Sequence, residues 1–269
     1  MTASTIAPAV PIRHISGARM ALVDALTMTW RNLRGMTRVP EVIVFSTIQP
    51  IIFVLTFRYV FGGAIQVPGV DYVDFLMPGI FVQTVVFGAM NTGIGLSEDL
   101  HKGLIERFRS LPMARSAVLS GRTLADLVRN VFVVAMMVVV GFAVGFDFTT
   151  SWLALIGAIA VLLLFGFAMS WIFALIGLSA ANAEAAQAAS FPILAILVFA
   201  STAFAPAESM PGWLQAYNDV NPVSVTVDAV RALCLGGETL VPVLQALAWS
   251  IGLIAVFAPL AVNRYRRVA

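Results

Sequence analysis

Residues 98–122 read EDLHKGLIERFRSLPMARSAVLSGR, the one densely charged stretch inside a chain that is otherwise almost wholly apolar. The 23 residues before it, 75–97, carry no formal charge, and another long apolar segment opens near Thr123. About 20 apolar residues in a helix cross the core of a bilayer, so the charged stretch joins two membrane crossings. It is far longer than a tight turn needs, and it carries Lys102, Arg107, Arg109, Arg115 and Arg122. A connection of this length and charge is expected to face the cytoplasm and to invite a partner.

The composition agrees. Of 269 residues, 60% are hydrophobic and 11% charged, with a mean hydropathy of +0.94. A soluble domain of this length needs far more charge to cover its surface. Further charge-free windows run over 130–146, 148–183, 185–207 and 239–263. The window 148–183 is too long for one crossing and short for two, and reads as one helix with its flanks. The net charge of +2 does not point to nucleic acid, because membrane topology accounts for the basic residues. Cys234 is alone, so no intrachain disulfide or zinc spacing exists. Residues 1–11 are uncharged and lack the apolar core of a cleavable signal peptide behind them.

The spacing predicts six spans, at about 42–61, 75–97, 123–146, 152–178, 190–205 and 240–262. Ahead of them, residues 1–41 form a cytoplasmic tail and an amphipathic helix from Ala18 to Thr37. In that helix Leu22, Leu26, Trp30 and Leu33 recur at helical spacing, while Arg19, Arg31 and Arg34 fall on the other side. A helix basic on one face with a Trp on the other lies in the membrane interface, or packs as an ordinary amphipathic helix on a soluble domain. Asp126 and Arg129 fall in the first turns of the third span, near enough to the headgroups to be wetted. Residues 206–239 read as a helical hairpin on the outer face, with Pro211 near a helix start and a turn at 218–222. The 263–269 tail is basic. Six spans put both termini on one side. Fourteen Lys and Arg residues then face the side of the termini and two, Arg58 and Arg231, the other, which places the termini in the cytoplasm. The fold class is therefore an all-α integral membrane protein with one transmembrane domain over 42–262.

Several functions are excluded by what the spans lack. Ion-coupled carriers use ionisable groups near the midplane, and the middle of each span is expected to hold none. The only lysine, Lys102, stands in no phosphate-binding loop, so the chain is not an ATPase by itself. No nucleophile with a histidine base falls inside the bilayer. A membrane subunit powered from outside remains. Within the charged stretch, Leu104, Ile105, Phe108 and Leu111 form an apolar stripe rimmed by Glu98, Asp99, Lys102, Glu106, Arg107 and Arg109. Such a short helix inserts into a groove on a partner protein, or lies on lipid as a second interfacial helix.

The stretch GLIERFRSLPMARSAVLSGR (103–122) resembles the type-2 ABC transporter permeases, especially the daunorubicin-resistance branch of antibiotic and lipid exporters. PGWLQAYNDVNPVSVTVDAVRAL (211–233) is similar to the same family's sequence before its last span, and the six-span layout extends the resemblance over nearly the whole chain. The resemblance implies a permease without its own ATPase site, in a bacterial cytoplasmic membrane. It works as a dimer with two copies of a separate ATP-binding subunit, which binds ATP and magnesium. Residues 98–112 would be the coupling helix docked into that subunit, with Gly103, Glu106, Arg107, Arg109, Leu111 and Pro112 at the motif positions. The N-terminal helix with Trp30, Arg31 and Arg34 would be the connecting helix, and the hairpin with Pro211, Trp213, Asn221 and Pro222 a re-entrant extracellular element. No cofactor, metal or catalytic residue is implied for the chain itself. Phe81, Phe87 and Met90 of the second span and Phe191 and Phe199 of the fifth are candidates for the path of a hydrophobic drug-like or lipid substrate, although such residues also serve plain packing. The alternatives are a stand-alone channel or carrier and a membrane scaffold that does not transport.

Overall fold

The computed structural model describes residues 17–36, 40–63, 65, 67, 69–102 and 115–268. The described chain is helical, with no strand among those residues. Its elements are α1 (Gly17–Met36), α2 (Pro40–Thr56, prolonged by one wide π turn, Phe57–Phe61), α3 (Tyr72–His101), α4 (Arg115–Ala143), α5 (Trp152–Gly177), α6 (Ala183–Phe199), α7 (Gly212–Asn218), α8 (Pro222–Leu235) and α9 (Leu240–Val268). Four stretches are long and apolar enough to cross a membrane: Tyr72–His101, Gly121–Ala143, Trp152–Gly177 and Leu240–Val268. Two shorter apolar helices, Thr47–Phe61 and Ala183–Phe199, correspond to the first and fifth expected spans.

α3 is the centre of the bundle. All twelve residues from Phe75 to Val86 are buried, the pattern of a helix enclosed on every side. Its apolar run has no polar face, so burial on all sides follows from the sequence itself. Closest approach comes at glycines. A β-carbon on Gly93 would overlap the Phe173 carbonyl of α5, one on Gly177 would overlap the Gly93 carbonyl, and one on Gly79 the Ala203 carbonyl. Small residues let helix backbones touch where lipid provides no hydrophobic drive. Around α3, Phe81, Met137, Phe165 and Phe173 fill the main core. A second cluster at the opposite end joins Met28 of α1, Leu96 of α3, Trp171 of α5 and Tyr265 of α9.

Local chemistry sets the ends. Ser151 accepts from the Ala154 amide at 3.2 Å, Asn182 from Ala185 at 2.7 Å and Asn221 from Val223 at 3.0 Å, each an N-cap. Pro222 takes the first position of α8, where its missing N–H costs nothing.

Several expected boundaries move. The fifth helix starts at Ala183 and stops at Phe199, not over 190–205, because the Asn182 cap starts it early. Beyond it Ser201 turns its hydroxyl onto the Val198 carbonyl at 2.6 Å, and residues 201–204 are buried without being helical. α4 begins at Arg115 rather than 123, so residues 115–122 are helix instead of connection. α9 runs on to Val268 through the basic residues set apart as a tail. In the first span the α-helix gives way to the wide turn after Thr56.

Candidate functional site

Two places in the bundle concentrate polar chemistry, and both hang on α3. The first is the end from which residues 103–114 depart. The last turns of α3 carry Glu98 and Asp99, with Lys102 as the cap residue. Lys102 meets Glu98 at 3.1 Å in an exposed pair, which contributes little. Asp99 instead reaches across to Arg122 of α4 at 2.5 Å, with both side chains about four-fifths buried. A β-carbon at Gly95 would overlap the Arg122 guanidinium, so that glycine is the slot the arginine occupies. α1 closes the corner. Thr29 donates to the Gly121 carbonyl at 3.2 Å. Burial lowers the pKa of Arg31 from its ordinary value, the field of Asp99 opposes the shift, and that of Arg122 adds to it. The ion pair therefore clasps the two helices on either side of 103–114, and α1 lies against the clasp. Gly103, Leu104, Glu106, Arg107, Phe108, Arg109, Leu111 and Pro112, the heart of the expected docking segment, lie outside the described residues. On α1, Val23, Leu26 and Trp30 are exposed, and Trp30 is 68% so. They repeat at three- and four-residue steps, as an interfacial helix requires.

The second place is a cleft between α2, α3 and α4, halfway along the bundle. Arg129 of α4 enters it 8% exposed, donates to the Gly88 carbonyl at 2.7 Å and faces Asp126 at 3.3 Å. Gly88 is near the middle of α3, so Arg129 meets that helix near its midpoint. The expectation that Asp126 and Arg129 are wetted is corrected, because both are buried against the neighbouring helices. The cause is the close packing of α4 on α3 at Gly88, where no side chain stands in the way. Asp126 is 2% exposed, and neither carboxylate oxygen has a hydrogen-bond partner. A β-carbon on Gly88 would overlap the Asn130 side chain, which is how a carboxamide fits between helices here. Gln83, Asn91 and Phe87 line the α3 side and Gln49 the α2 side, next to the helix-interior Pro50. The enclosed volume is about 30 Å³, room for a water or two.

The substrate-path candidates separate. Phe87 lines the cleft. Phe81 is 1% exposed and edge-on to Phe146, and Met90 is buried, so both are interior packing. Phe191 and Phe199 are exposed on α6, with Phe199 stacked 5.8 Å from Phe204. At the hairpin Trp213 is exposed, while Asn221 is 1% exposed and donates to the Leu197 carbonyl at 2.9 Å. Pro211 is the residue before α7. Arg231, which sequence reasoning passed over, ties the hairpin to α3. It pairs with Asp228 at 2.9 Å, donates to the Thr202 and Phe75 carbonyls at 3.0 and 3.3 Å and lies 3.8 Å over the Phe75 ring. Burial lowers its pKa to about 10 against the opposing field of Asp228, and partial burial raises that of Asp228, half of whose side chain stays exposed. The sequence signal for Arg231 was that it and Arg58 are the two basic residues on the side opposite the basic clusters.

The model of the ABC-2 type transporter family matches residues 24–235. The chain is 40% identical to the daunorubicin resistance ABC transporter permease protein DrrB1 of Streptomyces coeruleorubidus, over 93% of this chain and 88% of that one. It is 28% identical to the probable doxorubicin resistance ABC transporter permease protein DrrC of Mycobacterium tuberculosis, over 94% and 92%. It is 26% identical to the putative transport permease ycf38 of Cyanophora paradoxa, over 74% and 69%.

Proposed function

Because the chain belongs to the ABC-2 type transporter family, we propose that it is the membrane subunit of an ATP-driven exporter, docked through residues 98–112 onto a separate ATP-binding subunit. In this reading the chain crosses a bacterial cytoplasmic membrane six times, with α2 and α6 as the shorter crossings and both termini in the cytoplasm. Two copies form the translocating dimer, with two copies of the ATP-binding subunit beneath it. ATP and magnesium belong to that subunit. Cargo is a hydrophobic molecule, in keeping with relatives whose names state daunorubicin and doxorubicin resistance.

The observation that carries the docking reading is the clasp of Asp99 and Arg122 at the root of 103–114. A segment that receives force from a soluble engine must be fixed to its helices at both ends, or the motion dissipates in the connection. Breaking an ion pair mostly removed from water costs more than breaking an exposed one, because it strands a desolvated charge. The test is co-purification of the chain with a co-expressed candidate ATP-binding subunit, against the double substitution Glu106→Ala/Arg109→Ala. Association with wild type that weakens or uncouples in the variant supports the assignment. No association under any nucleotide condition rejects it. The buried Asp126–Arg129 pair is the one feature that favours a stand-alone carrier, and transport in proteoliposomes without an ATP-binding subunit would install that reading instead.

A further inference from the structure

The cleft between α2, α3 and α4 holds a polar atom that the fold leaves idle. Gln83 is 3% exposed, yet its Oε1 has no donor among the described residues. Buried polar atoms in native proteins are almost always paired, and one that is not marks a place for water or a ligand. Its surroundings say which ligand. Asn130, 4% exposed, lines the same cleft, and Gln49 and Asn91 line it as exposed residues at its open mouth. All four are carboxamides, which donate and accept without charge. The charge of Arg129 is offset by Asp126, and one of its N–H groups is taken by Gly88, so the cleft does not select an ion. Phe87 supplies an apolar flank.

The geometry points to a binding site for the uncharged hydroxyl-bearing end of an amphipathic molecule that arrives from the bilayer. One O–H donates to Gln83 Oε1, while Asn91 and Gln49 read neighbouring hydroxyl or carbonyl groups at the mouth. The enclosed space of about 30 Å³ admits such a polar tip in place of water, and the apolar body stays among the helices and lipid. The inference rests on the permease reading and adds the chemical group the cargo must present. The same chemistry is found on a neutral lipid headgroup, and the experiment separates the two sources.

The full chain is placed in phosphatidylcholine nanodiscs, with empty nanodiscs as the reference. Equilibrium dialysis compares 2-(hydroxymethyl)anthraquinone with 2-methylanthraquinone, an uncharged pair differing by one hydroxyl. Wild type is expected to bind the hydroxylated probe about tenfold tighter, the scale of one hydrogen bond. Gln83→Met, which keeps the bulk and removes the idle oxygen, is expected to abolish that preference while the thermal midpoint stays or rises. Displacement of the probe by monoolein assigns the site to a lipid headgroup, and its failure to compete assigns it to cargo. The inference is overturned if wild type shows no preference, if Gln83→Met retains it, or if the midpoint falls with the affinity, since the oxygen is then structural. The assay uses no ATP-binding subunit, so a failed co-purification and a failed preference are separate results.

Discussion

Asp126→Ala removes the countercharge of an arginine buried between helices. Asp126 and Arg129 are 2% and 8% exposed and 3.3 Å apart. Breaking a buried pair from one side leaves an uncompensated charge, at a cost of about 3–5 kcal/mol. The contact to the Gly88 carbonyl survives, which argues for the lower half of that range. Replacing both partners, as Asp126→Leu/Arg129→Met, removes the charges together and is expected to fall within about 1 kcal/mol of wild type, or to stabilise. The assay follows from Cys234, the only cysteine, which is fully buried. Burial raises its thiol pKa to about 12, so a thiol-reactive fluorophore reports unfolding and little else. On the scale of roughly 2–4 °C per kcal/mol for soluble domains of comparable size, the single variant melts roughly 6–16 °C early and the double variant near wild type. An unchanged melt for Asp126→Ala, or a double variant worse than the single, refutes the account of a desolvated pair.

Other substitutions test other contacts. Gly93→Leu forces α3 from α5 at a point of backbone contact and is expected to cost at least 1–3 kcal/mol, roughly the range for overpacking, whereas Gly252→Ala, with open space around it, changes the same melt by less than about 0.5 kcal/mol. Asp99→Arg is expected to lose stimulation of ATP hydrolysis in the assembled complex, and Asp99→Arg/Arg122→Asp to recover part of it; equal loss in both indicates no role for the pair. The raised pKa of Asp228 means that the folded state holds its proton more tightly than the unfolded one. Its stabilising contribution is therefore full below the ordinary carboxylate range and is lost as pH rises through the raised value. Melts followed by tryptophan fluorescence should fall from pH 4 towards neutrality, and Asp228→Asn should flatten that slope.

Long apolar windows made α3, α4, α5 and α9 legible because their length against a bilayer is a one-dimensional property. Helix ends were harder. Residues 115–122 contain Arg, Ser and Gly and read as connection, yet they continue α4, because charge density marks the edge of the bilayer rather than the edge of a helix. Asp126 and Arg129 are a pair three residues apart that is visible in any sequence, but their burial against Gly88 depends on how α4 packs on α3. Gln83 stands in an apolar run with nothing in the sequence to single it out, and only the packing of three helices reveals that its oxygen has no donor among the described residues. Arg122 was counted as loop charge. Its partner Asp99 is 23 residues away, beyond the reach of any local pattern. The motif at 103–112 pointed to the family directly, since recurrence of a spacing needs no geometry.

The contact of Gly93 with Phe173 and Gly177 divides α3 unequally. At 1.5 Å per residue, His101 lies about 12 Å from that contact and Tyr72 about 32 Å on the other side. Gly79 meets the Ala203 carbonyl at a second backbone contact, about 21 Å further along the helix. Two such contacts fix the tilt of α3 as two pins fix a bar, and Phe75, under the Arg231 guanidinium, stands beside the second pin.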